Sequence, residues 1–187
     1  MSRDQGMEPL QRDQEPDYYR ELLIGCGNRR EKILRHTKRP DWENLVTLDV
    51  DPNSNPDFLY DLNIRPLPFP ENNFNEIHAY EVLEHIGTQG DWRRFLEEFE
   101  EYWRILKPGG LLFATVPRWD TLWAWGDPGH TRVINEGTLI FLSQQAYRDQ
   151  VGKTPMTDYR AWYKGNFHCV HQKNTESGFE FVLEAVK

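Results

Sequence analysis

Gly25 and Gly27 flank Cys26 directly after the apolar run Leu22-Leu23-Ile24. Glycine at such a strand end lets the backbone turn sharply and approach a ligand with no Cβ in the way. Asp49 closes a second apolar run that starts at Leu45, and it lies 22 residues beyond Gly27. A carboxylate so placed accepts hydrogen bonds from both hydroxyls of a ribose. Loop and acid together point to an adenosine-bearing cofactor. A nicotinamide site asks for a third glycine in G-x-G-x-x-G, and Arg30 stands at that position. This counts against a hydride-transferring oxidoreductase.

A second constellation is Glu81-Val-Leu-Glu84-His85. If the segment opens a helix, positions 81, 84 and 85 fall at i, i+3 and i+4 on one face. Glu81, Glu84, His85 and the later His130 are then candidate catalytic groups for an acceptor that must lose a proton. The same four side chains offer an alternative, a divalent ion such as Mg2+ that polarises an acceptor hydroxyl. The plainer expectation is no metal, with the acids and the imidazole supporting the helix and cleft. Trp119, Trp123 and Trp125 follow an apolar run and are expected to stack a flat or apolar acceptor. The alternative is that they cover the sheet as ordinary core. Arg29, Arg30, Lys32, Arg35, Lys38 and Arg39 form a basic run, read as a solvated helix face rather than a nucleic-acid contact.

These residues need elements to hold them. Apolar runs at 19–24, 45–48, 58–60, 76–80 and 111–116 read as strands, with the last apolar on both faces and so central. The stretch 28–39 is expected to contain a short helix. Trp92, Phe95, Leu96, Phe99, Tyr102, Trp103 and Leu106 recur at three- and four-residue steps and predict a helix over 91–106, capped by Asp91. A further helix is expected near 136–147, capped by Asn135. A closing hairpin is expected from strands near 161–170 and 179–186. Strands alternating with helices imply a parallel sheet wound on both faces, with its ligand beyond the carboxyl ends of the strands. Residues 1–17 are polar and without period, and are expected to be a flexible arm ahead of a single domain spanning 18–187.

Composition narrows the partners. The 187 residues carry 22 basic and 30 acidic side chains, a net charge of −8 that argues against a broad grip on nucleic acid. No apolar stretch is long enough to cross a membrane. Two cysteines supply no disulfide framework, and the N-terminus has no apolar leader, so a cytoplasmic protein is expected.

Five segments, ELLIGCGNRR (21–30), LDVD (48–51), YDLN (60–63), LPFPENNFNEIHAYEVLEHIG (67–87) and LKPGGLLFATVP (106–117), resemble class I S-adenosylmethionine-dependent methyltransferases, nearest to the small type 11 kind. The resemblance runs over about residues 19–117. It implies a Rossmann-like α/β fold: a seven-stranded, mostly parallel sheet with helices on both faces and an antiparallel C-terminal β-hairpin. By the same resemblance Gly25, Cys26 and Gly27 line the methionine part of S-adenosyl-L-methionine, and Asp49 holds the ribose. Val50 flanks the adenine, Asp61 and Leu62 meet its edge and ring, and Tyr80 lies near the methyl-bearing sulfur. Leu23 stands where many relatives carry an acid, and Arg29 where many carry a third glycine. The E-x-x-E-H arrangement also resembles metal-dependent 2′-O-methyltransferases of small RNAs and some ubiquinone-pathway O-methyltransferases. The expected function is methyl transfer to a small-molecule acceptor, with neither nucleic acid nor membrane as partner. The alternatives are a catalytically inactive methyltransferase-like binding module and a metal-dependent O-methyltransferase acting on RNA or a small hydroxyl compound.

Overall fold

The computed structural model describes residues 18–35 and 38–187. The expected arm over 1–17 lies outside the described residues. Seven strands form one sheet: β1 (Glu21–Ile24), β2 (Leu45–Asp49), β3 (Phe58–Leu59), β4 (Phe74–Tyr80), β5 (Leu106–Pro117), β6 (Phe167–Asn174) and β7 (Gly178–Ala185). Their order is β3-β2-β1-β4-β5-β7-β6. All neighbouring pairs from β3 to β5 are parallel, and β7 runs antiparallel to both β5 and β6. The order reverses between β1 and β4, which opens a crevice at their carboxyl ends. Ile24 pairs with Leu48 on one side and Ala79 on the other, so the loops after β1, β2 and β4 leave the sheet together.

Alternation along the strands gives the sheet two unlike faces. Leu22, Ile24, Leu48, Ile77, Ala79, Leu112, Ala114, Val116, Phe181 and Leu183 form the apolar face and belong to the main core. α1 (Trp92–Ile105) covers that face with Phe95, Leu96, Phe99, Tyr102 and Ile105. Its period is the one read from the sequence, and the Asp91 side chain accepts from Arg94 N to cap it. Each large apolar side chain so buried contributes about 1.5–3 kcal/mol.

The opposite face is polar and buried. Glu21, Thr47, Glu76 and His78 point from adjacent strands and are almost fully buried. Lys32 reaches them, with Nζ 2.5 Å from Glu21 Oε1 and 3.0 Å from Glu76 Oε2. The His78 ring stacks on Phe113 and places Nε2 2.9 Å from Glu76 Oε2. Tyr19 Oη donates to Glu76 Oε1. Burial pushes the Glu21 carboxyl up to about 7. Glu76 is held well below the usual carboxylate range by hydrogen bonds from His78, Glu21, Tyr19 and Lys32, which outweigh its burial.

This network explains a difference from the sequence expectation. The described residues of 28–39 contain no helix. Arg29, Lys32, Arg35 and Arg39 would sit three or four apart on a helix and repel one another. Lys32 instead turns inward, and its ammonium also donates to the carbonyls of Arg39 and Asp41. Irregular chain held by an ion cluster therefore covers this part of the sheet.

Smaller differences have local causes. β5 begins at Leu106, ahead of the expected Leu111, because Lys107–Gly110 pass through a register shift against β4 with Gly109 at φ +73°. The helix expected near 136–147 is three pieces: α3 (Glu136–Leu139), a 3₁₀ turn over Ile140–Leu142, and α4 (Gln144–Gln150). Asn135 and Thr138 cap α3 reciprocally, and the Ser143 side chain accepts from Ala146 N to restart the helix as α4. The hairpin is present, with β6 starting at Phe167. Among the described residues no helix is long and apolar enough to cross a membrane.

Candidate functional site

The crevice at the carboxyl ends of β1, β2 and β4 has two lobes that meet at Gly25. One, of about 470 Å³, is lined by Gly25, Asp49, Val50, Tyr60, Asp61, Leu62, Asn63, Val82, His85 and Ile86. The other, of about 320 Å³, is lined by Leu23, Gly25, Cys26, Gly27, Asn28, Arg29, Glu31, Ile33, Tyr80 and Glu81. All eight positions expected to hold the cofactor line one or other of these two lobes.

Gly25 carries a structural requirement. Its φ is +57°, and a Cβ there would lie 2.4 Å from Val82 Cγ2 and 2.8 Å from Val82 Cβ. Only a residue without a side chain lets β1 turn beneath Val82 and leaves the two lobes continuous. Asp49 is fixed from both sides: Oδ2 accepts from Gly27 N at 2.8 Å and Oδ1 from Asp51 N at 2.8 Å. Each oxygen keeps a lone pair for a ligand hydroxyl. Asp61 is similarly set, its Oδ1 accepting from the backbone and side chain of Asn63. Cys26 is buried, with Sγ 3.9 Å from Ser54 Oγ and its thiol pushed up by burial, so it contributes backbone rather than a nucleophile. Tyr80 lines the smaller lobe. Its hydroxyl lies 2.6 Å from His78 Nδ1 and 3.2 Å from both the N–H and the carbonyl of Leu34, which ties the irregular segment to β4. Burial raises its phenol well above the ordinary range.

The acid–histidine group is assembled differently from the helical expectation. Glu81 has φ +54°, and the only helical turn in the segment is the 3₁₀ turn Leu83–His85. Glu81 therefore leaves the shared face and lines the smaller lobe. Glu84, His85 and His130 come together, with one ligand atom from each within 4.8 Å of the others. His130 Nε2 is 3.9 Å from Glu84 Oε1. The two imidazoles meet edge to face at 4.7 Å. His85 Nδ1 is 2.9 Å from Gly129 O and His130 Nδ1 is 2.8 Å from Trp123 O. A carbonyl only accepts, so both Nδ1 atoms carry hydrogen and both Nε2 atoms remain for chemistry. Glu84 is 2% exposed, and neither of its carboxylate oxygens has a hydrogen-bond partner among the described residues. Burial, reinforced by the carboxylates of Glu81 and Asp127, pushes its carboxyl up to about 8.

Trp119, Trp123 and Trp125 lie on and before the short α2 (Leu122–Gly126). They are 48%, 65% and 67% exposed and line neither lobe, so they are not core. The Trp125 indole donates to Trp119 O, which with the His130–Trp123 contact folds this loop back toward the Glu84 group. Sequence reasoning missed Tyr60, Asn63, Val82 and Ile86 in the larger lobe and Asn28, Glu31 and Ile33 in the smaller. Tyr60 and Asn63 belong to the Y-D-L-N segment, Asn28 to the glycine-loop segment, and Val82 and Ile86 to the segment 67–87. Glu31 and Ile33 carry no signal of type or spacing.

The sequence matches the family described as a methyltransferase domain over residues 22–114. No curated protein matches the chain. Among solved structures, an S-adenosylmethionine-dependent methyltransferase from Archaeoglobus fulgidus is 14% identical with a TM-score of 0.56, covering 90% of this chain and 86% of its own. The N-methyltransferase NodS from Bradyrhizobium japonicum, in complex with S-adenosylhomocysteine, is 18% identical with a TM-score of 0.54, covering 91% of this chain and 79% of its own. A Mesorhizobium loti S-adenosylmethionine-dependent methyltransferase is 15% identical with a TM-score of 0.52, covering 89% of this chain and 91% of its own. The matched span holds the glycine loop, Asp49, Asp61 and the Glu81–His85 segment that shape the cleft. Over residues 22–114 the chain carries a methyltransferase domain, on the fold of S-adenosylmethionine-dependent methyltransferases.

Proposed function

We propose that this enzyme methylates a small-molecule acceptor bound at the mouth of the larger lobe, beside Glu84, His85 and His130. The observation that carries the reading is the placement of His85, which lines the larger lobe and belongs to the Glu84–His130 group at once. In this reading the adenosine lies along Asp49, Val50, Asp61 and Leu62, and the amino-acid end lies along Gly25, Cys26, Gly27 and Tyr80. The acceptor's lone pair forms a bond to the methyl carbon as the carbon–sulfur bond breaks, and the sulfonium leaves as a neutral thioether. The donor is intrinsically reactive, so holding the acceptor in line supplies most of the acceleration. A hydroxyl acceptor also sheds a proton, and His130 Nε2 is the group in position to take it. Trp119, Trp123 and Trp125 form the outer wall against which a flat acceptor stacks.

The test is calorimetric titration with S-adenosylhomocysteine, followed by release of that product from S-adenosylmethionine across panels of hydroxyl, amine and carbon acceptors. Micromolar binding with acceptor-dependent turnover supports the reading. Binding without turnover on any panel favours the inactive binding module, and no binding removes the cofactor assignment.

A second reading is favoured by the unpartnered Glu84. A buried carboxylate with no donor, next to two imidazoles whose Nδ1 atoms are held by carbonyls, is the arrangement of a metal-ligating set with its outer shell in place. Two imidazoles and one carboxylate suit a first-row transition ion better than Mg2+, which favours all-oxygen sites. In this reading the ligands are Glu84, His85 and His130, without Glu81. Binding of Zn2+ lost in Glu84→Gln and His130→Ala but kept in Glu81→Gln supports it. No Zn2+ binding by the intact chain ends it.

A further inference from the structure

The cofactor's amino-acid end is a zwitterion, and the smaller lobe has to meet an ammonium and a carboxylate. The usual backbone devices are occupied or missing. Cys26 N donates to Leu48 O at 3.3 Å, and Gly27 N donates to Asp49 Oδ2 at 2.8 Å. Among the described residues no helix follows the glycine loop, so no helix N-terminus faces the lobe to hold an anion. At the end of β1 the residue turned to the lobe is Leu23, which carries no charge.

Three charged side chains line this lobe: Arg29, Glu31 and Glu81. None of them has a hydrogen bond or ion pair among the described residues. Arg29 is the only cation of the lining. Glu81 differs from Glu31 in how it is held. It sits at the end of β4 in the left-handed region, with φ +54°, and its N–H donates to Thr115 O at 2.9 Å on the neighbouring strand. A non-glycine residue in that conformation costs free energy and persists where the surroundings enforce it, which is common at ligand clamps. Glu31 lies on the irregular segment without such a constraint.

We propose that Arg29 and Glu81 form a side-chain clamp for the amino-acid end of the cofactor, Arg29 on the carboxylate and Glu81 on the ammonium. The clamp takes over work that the glycine-loop amides and a following helix cannot do here. It also gives Glu81 a role on the donor rather than the acceptor. The proposal rests on the S-adenosylmethionine reading of the cleft.

The test compares two ligands on the full-length chain. S-adenosylhomocysteine has the zwitterionic end, and 5′-methylthioadenosine is the same nucleoside thioether without it. Charge-assisted hydrogen bonds predict that Arg29→Met and Glu81→Gln each weaken S-adenosylhomocysteine by about 10-fold or more, while methylthioadenosine stays within about 2-fold. Arg29→Lys restores part of the loss, because it keeps the charge without the planar fork. Persisting methylthioadenosine binding reports that each variant's cleft is intact. Equal losses for both ligands, or no loss for either, overturn the clamp. An intact chain that binds both ligands equally well overturns the clamp and leaves the cofactor reading standing. An intact chain that binds neither removes the cofactor reading, and the clamp with it.

Discussion

Replacing Lys32 by methionine tests whether the ion cluster stands in for a helix. The ammonium is 2% exposed and lies 2.5 Å and 3.0 Å from two carboxylates that are themselves fully buried. Methionine keeps most of the volume and removes the charge. Glu76 carries the negative charge of the cluster, so the loss falls on it. Breaking a buried pair from one side costs about 3–5 kcal/mol. The folded variant has an escape, which is to keep Glu76 protonated. That costs about 1.4 kcal/mol for each pH unit above the ordinary carboxyl value of 4.5. The loss therefore grows with pH, by up to about 3 kcal/mol between pH 5 and pH 7. The sign follows from linkage: the folded variant holds a proton that the unfolded chain has released, so its stability falls as pH rises above 4.5. Urea unfolding of both proteins at pH 5 and pH 7 measures the difference. A second readout is S-adenosylhomocysteine affinity, which should fall because Asn28, Arg29, Glu31 and Ile33 of the tethered segment line the smaller lobe. A loss below about 1 kcal/mol at pH 7, or one that is as large at pH 5, would refute the account of the cluster.

Gly25→Ala should abolish S-adenosylhomocysteine binding, because the added Cβ meets Val82 Cβ, which the backbone fixes, at 2.8 Å; calorimetry showing unchanged affinity would remove Gly25 as the junction of the two lobes. Asp49→Ala should weaken the same ligand by about 1–3 kcal/mol, the scale of charge-assisted hydrogen bonds to the ribose, and a wild-type titration curve would end that assignment. Tyr80→Phe should lower stability by about 1–2 kcal/mol, since it strands His78 Nδ1 and the backbone of Leu34; thermal unfolding measures it, and no change would mean the tie is idle. Trp123→Ala should leave stability within about 0.5 kcal/mol, since the side chain is largely solvent-facing, and a larger loss would return the tryptophans to a structural role.

The strands, the main helix and the glycine loop were legible in the sequence because they are local properties; the roles of Val50, Asp61, Leu62 and Tyr80 at the cofactor were implied only by the family resemblance. The short apolar run Leu45–Leu48, period 3.6 along Trp92–Ile105, and glycine at a strand end each act over a few residues. The spacing of Gly27 and Asp49 points to one shared site, and the two prove to be hydrogen-bonded. The segment after the glycine loop was not legible. Its charge pattern reads as a solvated helix face, yet Lys32 is drawn into the sheet by Glu21 and Glu76, which lie 11 and 44 residues away in the chain. Local composition cannot report a partner supplied by another strand. The same limit hid the division of Glu81 from Glu84 and His85. The motif's spacing assumed a helix, and the left-handed turn at Glu81 follows from its tie to Thr115 on β5. Sequence thus determined that the glycine loop and the acids at the strand ends reach the cleft, because strand ends and turns are written locally. Tertiary structure decided which lobe each one serves, because that depends on hydrogen bonds between strands distant in the chain.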